Sequence, residues 1–329
     1  MPLTHYPNGV SSFGLPVLGA APSIPVGSSS QYWFVDPKNG NDGNQGTLDQ
    51  PFATITHAYS MLRSGYWDGI FLIGYGAGTA SADLSATLTW SANYTFLIGL
   101  CAPTLGSQRA RISNGASTNL MTPLVNFSAT QVIVKNINFF NGGNDATAAA
   151  VCVLISGQRC YFENCSFSGG GTVASAGNAA MRSLVIDGTG GGTTNNLGEN
   201  EFVHCTIGLD TELRSAASSE LAFTAGFSPR NVFEDCLFLT NGSANNLFFS
   251  SPASGTISYT FFSNCMFYNN IGSGGAAMND AYSINASNGD FIMQQCSFVH
   301  VTALPASSLV WGTPLADATT HILKAVNPT

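Results

Sequence analysis

Charged residues are scarce in this chain. Its 329 residues include ten Lys and Arg and 18 Asp and Glu, which gives a formal net charge of −8. So few basic residues cannot form the positive stripe that nucleic-acid binding requires, and no nucleic-acid partner is expected. No apolar run reaches the roughly 18 residues of a transmembrane helix, so no membrane partner is expected. Residues 1–6 lack the basic region and apolar core of a signal peptide, so synthesis in a cytoplasm is expected.

The sequence also lacks the closely spaced CxxC pairs that bind zinc or form redox disulfides. It has eight cysteines, and five of them recur at the period of the repeat described below. Side chains at the same point of successive repeats stack in a ladder, where cysteine behaves as a small buried apolar residue. These five cysteines are therefore predicted to be reduced, structural thiols.

A six-residue motif recurs along the second half of the chain. Each copy has an apolar residue three positions before a cysteine and another two positions after it. The copies start at Phe162, Phe202, Phe233, Phe262 and Met293, and a cysteine-free copy starts at Val134. Their central positions are 28, 40, 31, 29 and 31 residues apart, which is typical of solenoid repeats. Cys165 and Phe167 alternate as in a strand, so the pattern predicts a parallel β-helix.

Two further features follow from the repeat. A polar residue precedes each cysteine and is expected to stack at a turn. These residues are Asn164, His204, Asp235, Asn264 and Gln295, with Asn136 in the earlier copy. The 40-residue step between Cys165 and Cys205 is the longest, and its extra length is predicted to form a loop within residues 188–200.

The N-terminal region resembles a known fold family. Trp33-Phe34-Val35-Asp36, the Gly- and Asn-rich segment 40–46 and the segment 51–55 resemble the N-terminal signature of the pectate-lyase-like superfamily of right-handed parallel β-helices. Segments 68–73 and 94–100 continue the pattern as the first coils. The stretch 6–17 is similar to the start of tailed-bacteriophage virion proteins, encoded with head genes, in which such an arm precedes a β-helix. The resemblance covers about the first 110 residues and implies an all-β solenoid.

Four regions are expected. Residues 1–31 form an extended N-terminal arm, residues 32–66 cap the solenoid, residues 67–300 form about eight coils, and residues 301–329 form a C-terminal cap and tail. The cap is predicted to contain a short amphipathic helix with Pro51 in its first turn and Asp49 or Gln50 at its N-cap. The loop 36–46 carries carboxylate and amide side chains, which are typical either of ordinary turns or of a bound ion, and the turn is favoured.

The arm is either a disordered tail or a segment that orders against a partner. Its apolar residues lie between prolines, a pattern that suits extended docking, and the phage resemblance implies the major capsid protein as the partner. The predicted docking residues are Tyr6, Pro7, Val10, Phe13, Leu15, Pro16 and Val17.

The acidic residues of the chain suit either catalysis or a structural role. Acidic residues concentrate at Asp187, Glu199, Glu201, Asp210, Glu212 and Glu220. Paired carboxylates would suit a glycosidase, and lyases of the resembling superfamily use acidic residues to hold calcium. The sequence lacks the Asp-Asp, Gly-His-Gly and Arg-x-Pro-x-x-Arg motifs of the polygalacturonase and pectate-lyase families. No catalytic residue, cofactor or metal site is therefore predicted, and the chain is expected not to be an enzyme.

The resemblance favours a virion structural protein. The expected role is a head decoration or auxiliary protein on the capsid exterior, associating with itself as a homotrimer. The alternatives are a tailspike-like polysaccharide-degrading enzyme, acting through Glu199, Glu201 or Asp210, and a non-catalytic protein that binds host surface glycans through exposed aromatics such as Tyr282 or Trp311.

Overall fold

A computed structural model shows an all-β, right-handed parallel β-helix, as the repeat and the resemblance predicted. It describes residues 11–12, 15–16, 29–75, 81–106, 110–115, 121–143, 151–190, 197–224, 226–251, 259–272, 274–284, 289–305, 310–312, 315–316 and 323–324. Over these residues the coils contribute strands to three parallel sheets of ten, eight and seven strands, because the apolar residues alternate and the turns between them are short.

Sheet I contains the first strand of every coil. Its members are β3 (Tyr32–Val35), β4 (Gly69–Ile73), β7 (Thr95–Leu100), β10 (Val132–Lys135), β13 (Tyr161–Glu163), β16 (Glu201–Val203), β19 (Asn231–Glu234), β22 (Tyr259–Ser263), β26 (Asp290–Gln294) and β29 (Val310–Trp311).

Sheets II and III complete the coils. Sheet II contains β5 (Ala82–Asp83), β8 (Ala110–Ser113), β11 (Ile137–Phe140), β14 (Ser166–Ser168), β17 (Thr206–Leu209), β20 (Leu237–Thr240), β23 (Met266–Asn269) and β27 (Ser297–Val299). Sheet III contains β6 (Leu88–Trp90), β9 (Val125–Phe127), β12 (Val151–Ile155), β15 (Arg182–Ile186), β18 (Ser219–Phe223), β21 (Leu247–Ser250) and β25 (Tyr282–Ser283).

Three small strand pairs lie outside these sheets. They are β1 (Ser11–Ser12) with β2 (Leu15–Pro16), β24 (Met278–Asp280) with β28 (Val301–Ala303), and β30 (Leu315–Ala316) with β31 (Leu323–Lys324). Two short helices, α1 (Ile55–Ser60) and α2 (Val173–Ala176), are found in the described residues. Neither is long enough to cross a membrane.

Stacked side chains fill the interior. On sheet I the rings of Phe162, Phe202 and Phe233 are nearly parallel, with centroids 5.0 and 4.6 Å apart. Cys165, Cys205, Cys236, Cys265 and Cys296 form the predicted ladder of buried thiols, and none is in a disulfide. Each sulfur lies 3.3–3.5 Å from backbone carbonyl oxygens, for example those of Val134 and Glu163 beside Cys165.

The polar residues before the cysteines form the corner between sheets I and II, as predicted. Asn136, Asn164, His204, Asp235, Asn264 and Gln295 all have positive φ, between 51° and 58°. A second set occupies the corner between sheets III and I. Its members, also with positive φ, are Trp67, Tyr94, Gln131, Arg159, Glu199 and Arg230. Each set turns the chain with a single left-handed residue.

The N-terminal cap differs from the prediction in one respect. Helix α1 begins at Ile55, not near Pro51, and Thr54 is its N-cap because the Thr54 hydroxyl accepts a hydrogen bond from His57 N. The carboxylate of Asp42 accepts the backbone N–H groups of Ala53 and Thr54, which holds residues 51–54 outside the helix. Phe52 and Ile55 are buried under the cap.

The predicted long loop is confirmed. Strand β15 ends at Ile186 and β16 begins at Glu201, whereas β12 and β13 are separated only by residues 156–160. Within the described residues 187–190 and 197–200 no strand is found. The extra length of this coil therefore lies between sheets III and I.

Candidate functional site

A shallow groove lies on the outer face of sheet III, beside this long loop. Its volume is about 610 Å³. It crosses β12, β15, β18 and β21, and its lining residues are Val151, Leu154, Arg182, Val185, Asp187, Thr189, Ala222, Phe223, Thr224, Ser250 and Ser251. Ligands usually bind in concave sites, so the groove is the first place to look for one. Most of the described carboxylates lie elsewhere.

The groove has an apolar floor. Leu154, Val185 and Ala222 occupy equivalent positions on three adjacent strands and point outward. Ser250 is the next residue in this row. Because parallel strands are about 4.8 Å apart, the row forms a flat apolar track roughly 10 Å long that ends in a hydroxyl.

Asp187 lies at one rim, where β15 ends. Its Oδ1 accepts a hydrogen bond from Thr189 N at 2.9 Å and from the hydroxyls of Thr189 and Thr224. The described part of the chain donates no hydrogen bond to Oδ2. Asp187 is therefore held in one orientation by three donors to Oδ1. Its Oδ2 can accept a proton or a hydrogen bond from a ligand hydroxyl.

Arg182 lies at the opposite rim, where β15 begins. Its Nη1 donates to the backbone oxygens of Ala179 and Met181, at 2.9 and 2.5 Å. Burial lowers its pKa, and the charge of Glu220 opposes that shift. The Arg182 and Asp187 backbones are about 17 Å apart along the strand, so one ligand would need to be longer than a single sugar ring to reach both.

A buried ionic network lies beneath the Arg182 rim. The Arg214 guanidinium donates to Glu220 Oε1 at 2.9 Å and to the carbonyl oxygens of Gly169 and Gly170 at 2.8 and 2.9 Å. Ser183, next to Arg182, donates to Glu220 Oε2 at 2.6 Å. Arg214 and Glu220 have side-chain exposures of 0% and 1%. This network ties β18 to β15 and to the corner before β15, which both belong to the preceding coil.

The three acidic residues of the enzyme alternative do not come together. Glu199 is at the corner between sheets III and I, where Arg159 and Arg230 both pair with it. Glu201 is on the outer face of sheet I, and Asp210 follows β17, where it accepts a hydrogen bond from Asn270. Of the acidic residues named from the sequence, only Asp187 lines the groove.

The glycan-binding alternative is also revised. Tyr282 is buried inside the solenoid, where its hydroxyl donates to Pro305 O at 3.1 Å, so it cannot be an exposed sugar-binding ring. Trp311 is 58% exposed, and its Nε1 donates to Asp290.

Both carboxylates of the loop 36–46 are used within the protein. Asp36 accepts hydrogen bonds from the backbone N–H groups of Lys38 and Asn39 and from the Tyr75 hydroxyl. Asp42 caps the segment before α1. In the described residues no cluster of His, Cys, Asp or Glu has the arrangement of a metal site.

The predicted docking residues of the arm fall almost entirely outside the described residues. Tyr6, Pro7, Val10, Phe13 and Val17 lie outside them. Leu15 and Pro16 form β2, whose backbone pairs antiparallel with β1.

Sequence reasoning missed the groove because its floor consists of ordinary apolar residues. Leu154, Val185 and Ala222 look like core positions until the register of three coils shows that they point outward. The available signal was their position next to the longest coil.

No protein-family model matches the sequence, and a search of curated proteins finds no match. Solved structures do match. A pectate lyase, Pel9A, superposes with a TM-score of 0.55 at 14% identity, over 83% of this chain and 63% of its own. A rhamnogalacturonan lyase gives 0.53 at 12% identity, over 82% and 74%. A pectin methylesterase variant in complex with a hexasaccharide gives 0.51 at 14% identity, over 86% and 82%.

These likenesses show a right-handed parallel β-helix fold. They also correct the expectation that the chain is not an enzyme, because all three similar structures are of enzymes. That expectation rested on missing sequence motifs, and such motifs are specific to individual families rather than to the fold. The chain spans less than two thirds of the length of the pectate lyase.

Proposed function

We propose that this protein degrades a polysaccharide, in the manner of a tailspike, by binding it in the groove on the outer face of sheet III. The observation that carries the proposal is the outward apolar floor of Leu154, Val185 and Ala222 between a carboxylate, Asp187, and a guanidinium, Arg182. The similar solved structures of polysaccharide-acting enzymes support it.

The groove chemistry suits a sugar chain. A pyranose ring has apolar C–H faces and a rim of hydroxyls, so it can pack on a flat apolar floor while its hydroxyls reach polar groups at the sides. The side chains of Thr189, Thr224 and Ser250 supply hydroxyls there, and Asp187 supplies an acceptor.

Asp187 is the candidate catalytic residue. Its fixed carboxylate can remove a proton from a ring carbon next to a carbonyl group while the glycosidic C–O bond breaks and a C=C bond forms. The departing glycosidic oxygen takes a proton from water. Hydrolysis with two carboxylates requires them about 5–10 Å apart. Among the described lining residues there is one carboxylate, so elimination fits the groove better than hydrolysis. Arg182 would hold the chain at the far rim.

The test compares Asp187→Asn with Asp210→Asn, a carboxylate change outside the groove. Both variants and the wild type are incubated with polygalacturonate, rhamnogalacturonan and bacterial surface polysaccharides, and unsaturated and reducing ends are measured. We expect Asp187→Asn to lose about 100-fold or more of the activity and Asp210→Asn to keep it. Full activity in Asp187→Asn, or cleavage of no polysaccharide by the wild type, would contradict the proposal.

We further propose that the protein is carried on the exterior of a tailed-bacteriophage virion. The support is the N-terminal arm, with apolar residues spaced between prolines and a resemblance to phage virion proteins. The arm would dock on the major capsid protein. Deletion of residues 2–20 should abolish co-sedimentation with capsids that lack this protein and leave the circular dichroism spectrum unchanged. Equal binding by the full-length and truncated proteins would rule the arm out.

A further inference from the structure

A row of mostly apolar residues runs along the outer face of sheet I. Strand register places one outward residue from each of its ten strands in a continuous row. From the N-terminal end this row, here called the apolar strip, consists of Tyr32, Gly69, Phe96, Ile133, Tyr161, Glu201, Val232, Phe261, Ile292 and Trp311. One charge occurs in these ten positions.

A parallel row lies two residues further along each strand. It consists of Phe34, Phe71, Ile98, Lys135, Glu163, Val203, Glu234, Ser263 and Gln294. Its charges lie in the middle. Lys135 pairs with Glu163 at 2.7 Å, whereas Glu234 is exposed three strands further on.

The size of this surface suits a protein partner. Ten strands at about 4.8 Å spacing give a length of roughly 43 Å, and two rows cover a width of about 13 Å. The resulting area is on the order of 550 Å² per copy, or about 1,100 Å² for a pair, which is near the lower limit for a specific interface. The apolar strip is about half of this area, and the largest apolar patch of a typical monomer, roughly 300–600 Å², is often functional.

The spacing of the strip indicates what could cover it. Its side chains repeat at the strand spacing over ten strands, so a matching surface needs ridges with the same spacing and length. A second copy of this solenoid has both. In one arrangement the two solenoid axes are antiparallel and a two-fold axis runs along the strand direction. Each row then faces the same row of the other copy. The order of the strands is reversed, so the fourth strand of sheet I faces the seventh strand of the second copy.

This arrangement pairs most of the side chains well, with Glu163 facing Val203 as the exception in the second row. Lys135 faces Glu234 of the second copy, and Glu234 faces Lys135 in return. Tyr161 faces Glu201, so its hydroxyl can donate to the carboxylate. Ile133 faces Val232, and the remaining positions of the strip are apolar against apolar, although Phe96 and Gly69 are already buried within each copy. In a two-fold pair with parallel solenoid axes, the strip of one copy would face the second row of the other copy, strand for strand. Ile133 would then face Lys135 and Val232 would face Glu234, which places charges against apolar side chains.

We propose that the outer face of sheet I binds a second copy of this chain in an antiparallel two-fold dimer. The inference does not depend on the sheet III groove, which lies on another face of the solenoid and stays open in the dimer.

The test is the mass in solution over a range of concentrations, by sedimentation velocity, on the full chain. We expect the wild type to dimerise reversibly. Phe261→Glu should weaken dimerisation at least about tenfold, because it buries a charge in the strip. Leu154→Glu, a control on sheet III, should not change it. A monomer at every concentration, a three-copy mass, or an unaffected Phe261→Glu dimer would overturn the proposal.

A charge exchange tests the orientation. Lys135→Glu and Glu234→Lys should each weaken the dimer about tenfold, and the double variant should return to within about threefold of the wild type. The two residues lie three strands apart in one copy, roughly 14 Å, so the rescue cannot arise within a copy. Circular dichroism of each variant checks its fold. Single variants that are folded and dimerise normally, or a folded double variant that stays weak, would contradict the antiparallel arrangement.

Discussion

Arg214 shows how one side chain can replace a repeating feature of the coils. At the corner after sheet II, the buried side chains of Asn114 and Asn141 hydrogen bond to each other at 3.2 Å. In the next coil the equivalent residue is Gly169, which has no side-chain amide to continue this hydrogen bonding. Arg214, from the coil after that, reaches back to the carbonyl oxygens of Gly169 and Gly170. A side chain at Gly170 would collide with it, since its Cβ would lie 2.5 Å from Nη1.

This network makes a prediction about stability. Arg214→Met leaves the Glu220 carboxylate buried without its cation and should lower the free energy of unfolding by about 3–5 kcal/mol. The double variant Arg214→Met with Glu220→Leu removes both charges and should be less destabilised than Arg214→Met alone. Urea denaturation followed by circular dichroism measures both. Equal losses in the single and double variants would mean that the buried charge is not the cause.

Asp68 gives the cap a dependence on pH. It is fully buried, and burial alone would raise its pKa. Hydrogen bonds from the Arg63 side chain at 2.8 Å, together with the backbone N–H groups of Gln31 and Arg63, outweigh burial and lower the pKa. Because the folded-state pKa is below the unfolded value of about 4, this stabilisation is present at neutral pH and is lost as the pH falls below that value.

Asp68→Asn should therefore destabilise the protein mainly at neutral pH. We expect a loss of about 1–2 kcal/mol, since Arg63 is partly exposed. The difference in melting temperature between wild type and variant should shrink as the pH falls from 7 to about 3. Asp83→Asn, at a more exposed position, is the control. A difference that stays constant with pH would show that the carboxylate charge contributes nothing.

At the scale of elements, the features that recur in several coils were predicted from the sequence, and the features that occur once were missed. The strands, the cysteine ladder and the polar corner at Asn164 each recur in several coils, so several copies reinforce the same pattern. The start of α1 was mispredicted because Asp42, eleven residues before Ala53, binds the backbone there. The groove was missed because the outward direction of Val185 depends on its register with neighbouring coils, which no single segment shows.

The burial of the cysteines predicts which thiols react with an alkylating reagent. Seven of the eight thiols are buried, and Cys101 is partly exposed. Burial raises the pKa of Cys152 and Cys160 to about 12. Since the thiolate is the reactive form, iodoacetamide should modify the native protein at Cys101 at most and the denatured protein at all eight positions. Peptide mass spectrometry measures this. Rapid native labelling of Cys205 or Cys236 would show that the central coils open.

At the scale of the whole molecule, the solenoid must close the end of its core. A coil leaves its interior side chains and strand edges open unless another element covers them. Helix α1 and Phe52 cover the first coil. Ile55 and Ala58 face inward, Phe52 packs on Trp33 with ring centroids 5.8 Å apart, and Tyr59 packs on Trp90 at 4.9 Å. The cap therefore protects the molecule from end-to-end association as well as stabilising the first coil.

The two faces of α1 allow a direct test of this role. Ile55→Asp places a charge under the cap and should cost about 3–5 kcal/mol, since it removes a buried side chain and buries a carboxylate without a partner. Thr56→Asp, on the exposed side of the same helix, is the matched control and should behave as the wild type. If the cap also blocks association, Ile55→Asp should form species larger than the wild type, growing with concentration, in light scattering after size exclusion. If Ile55→Asp is destabilised but keeps the wild-type size, the cap stabilises the first coil and does not block association. An Ile55→Asp variant with unchanged stability would show that the end of the core does not depend on α1.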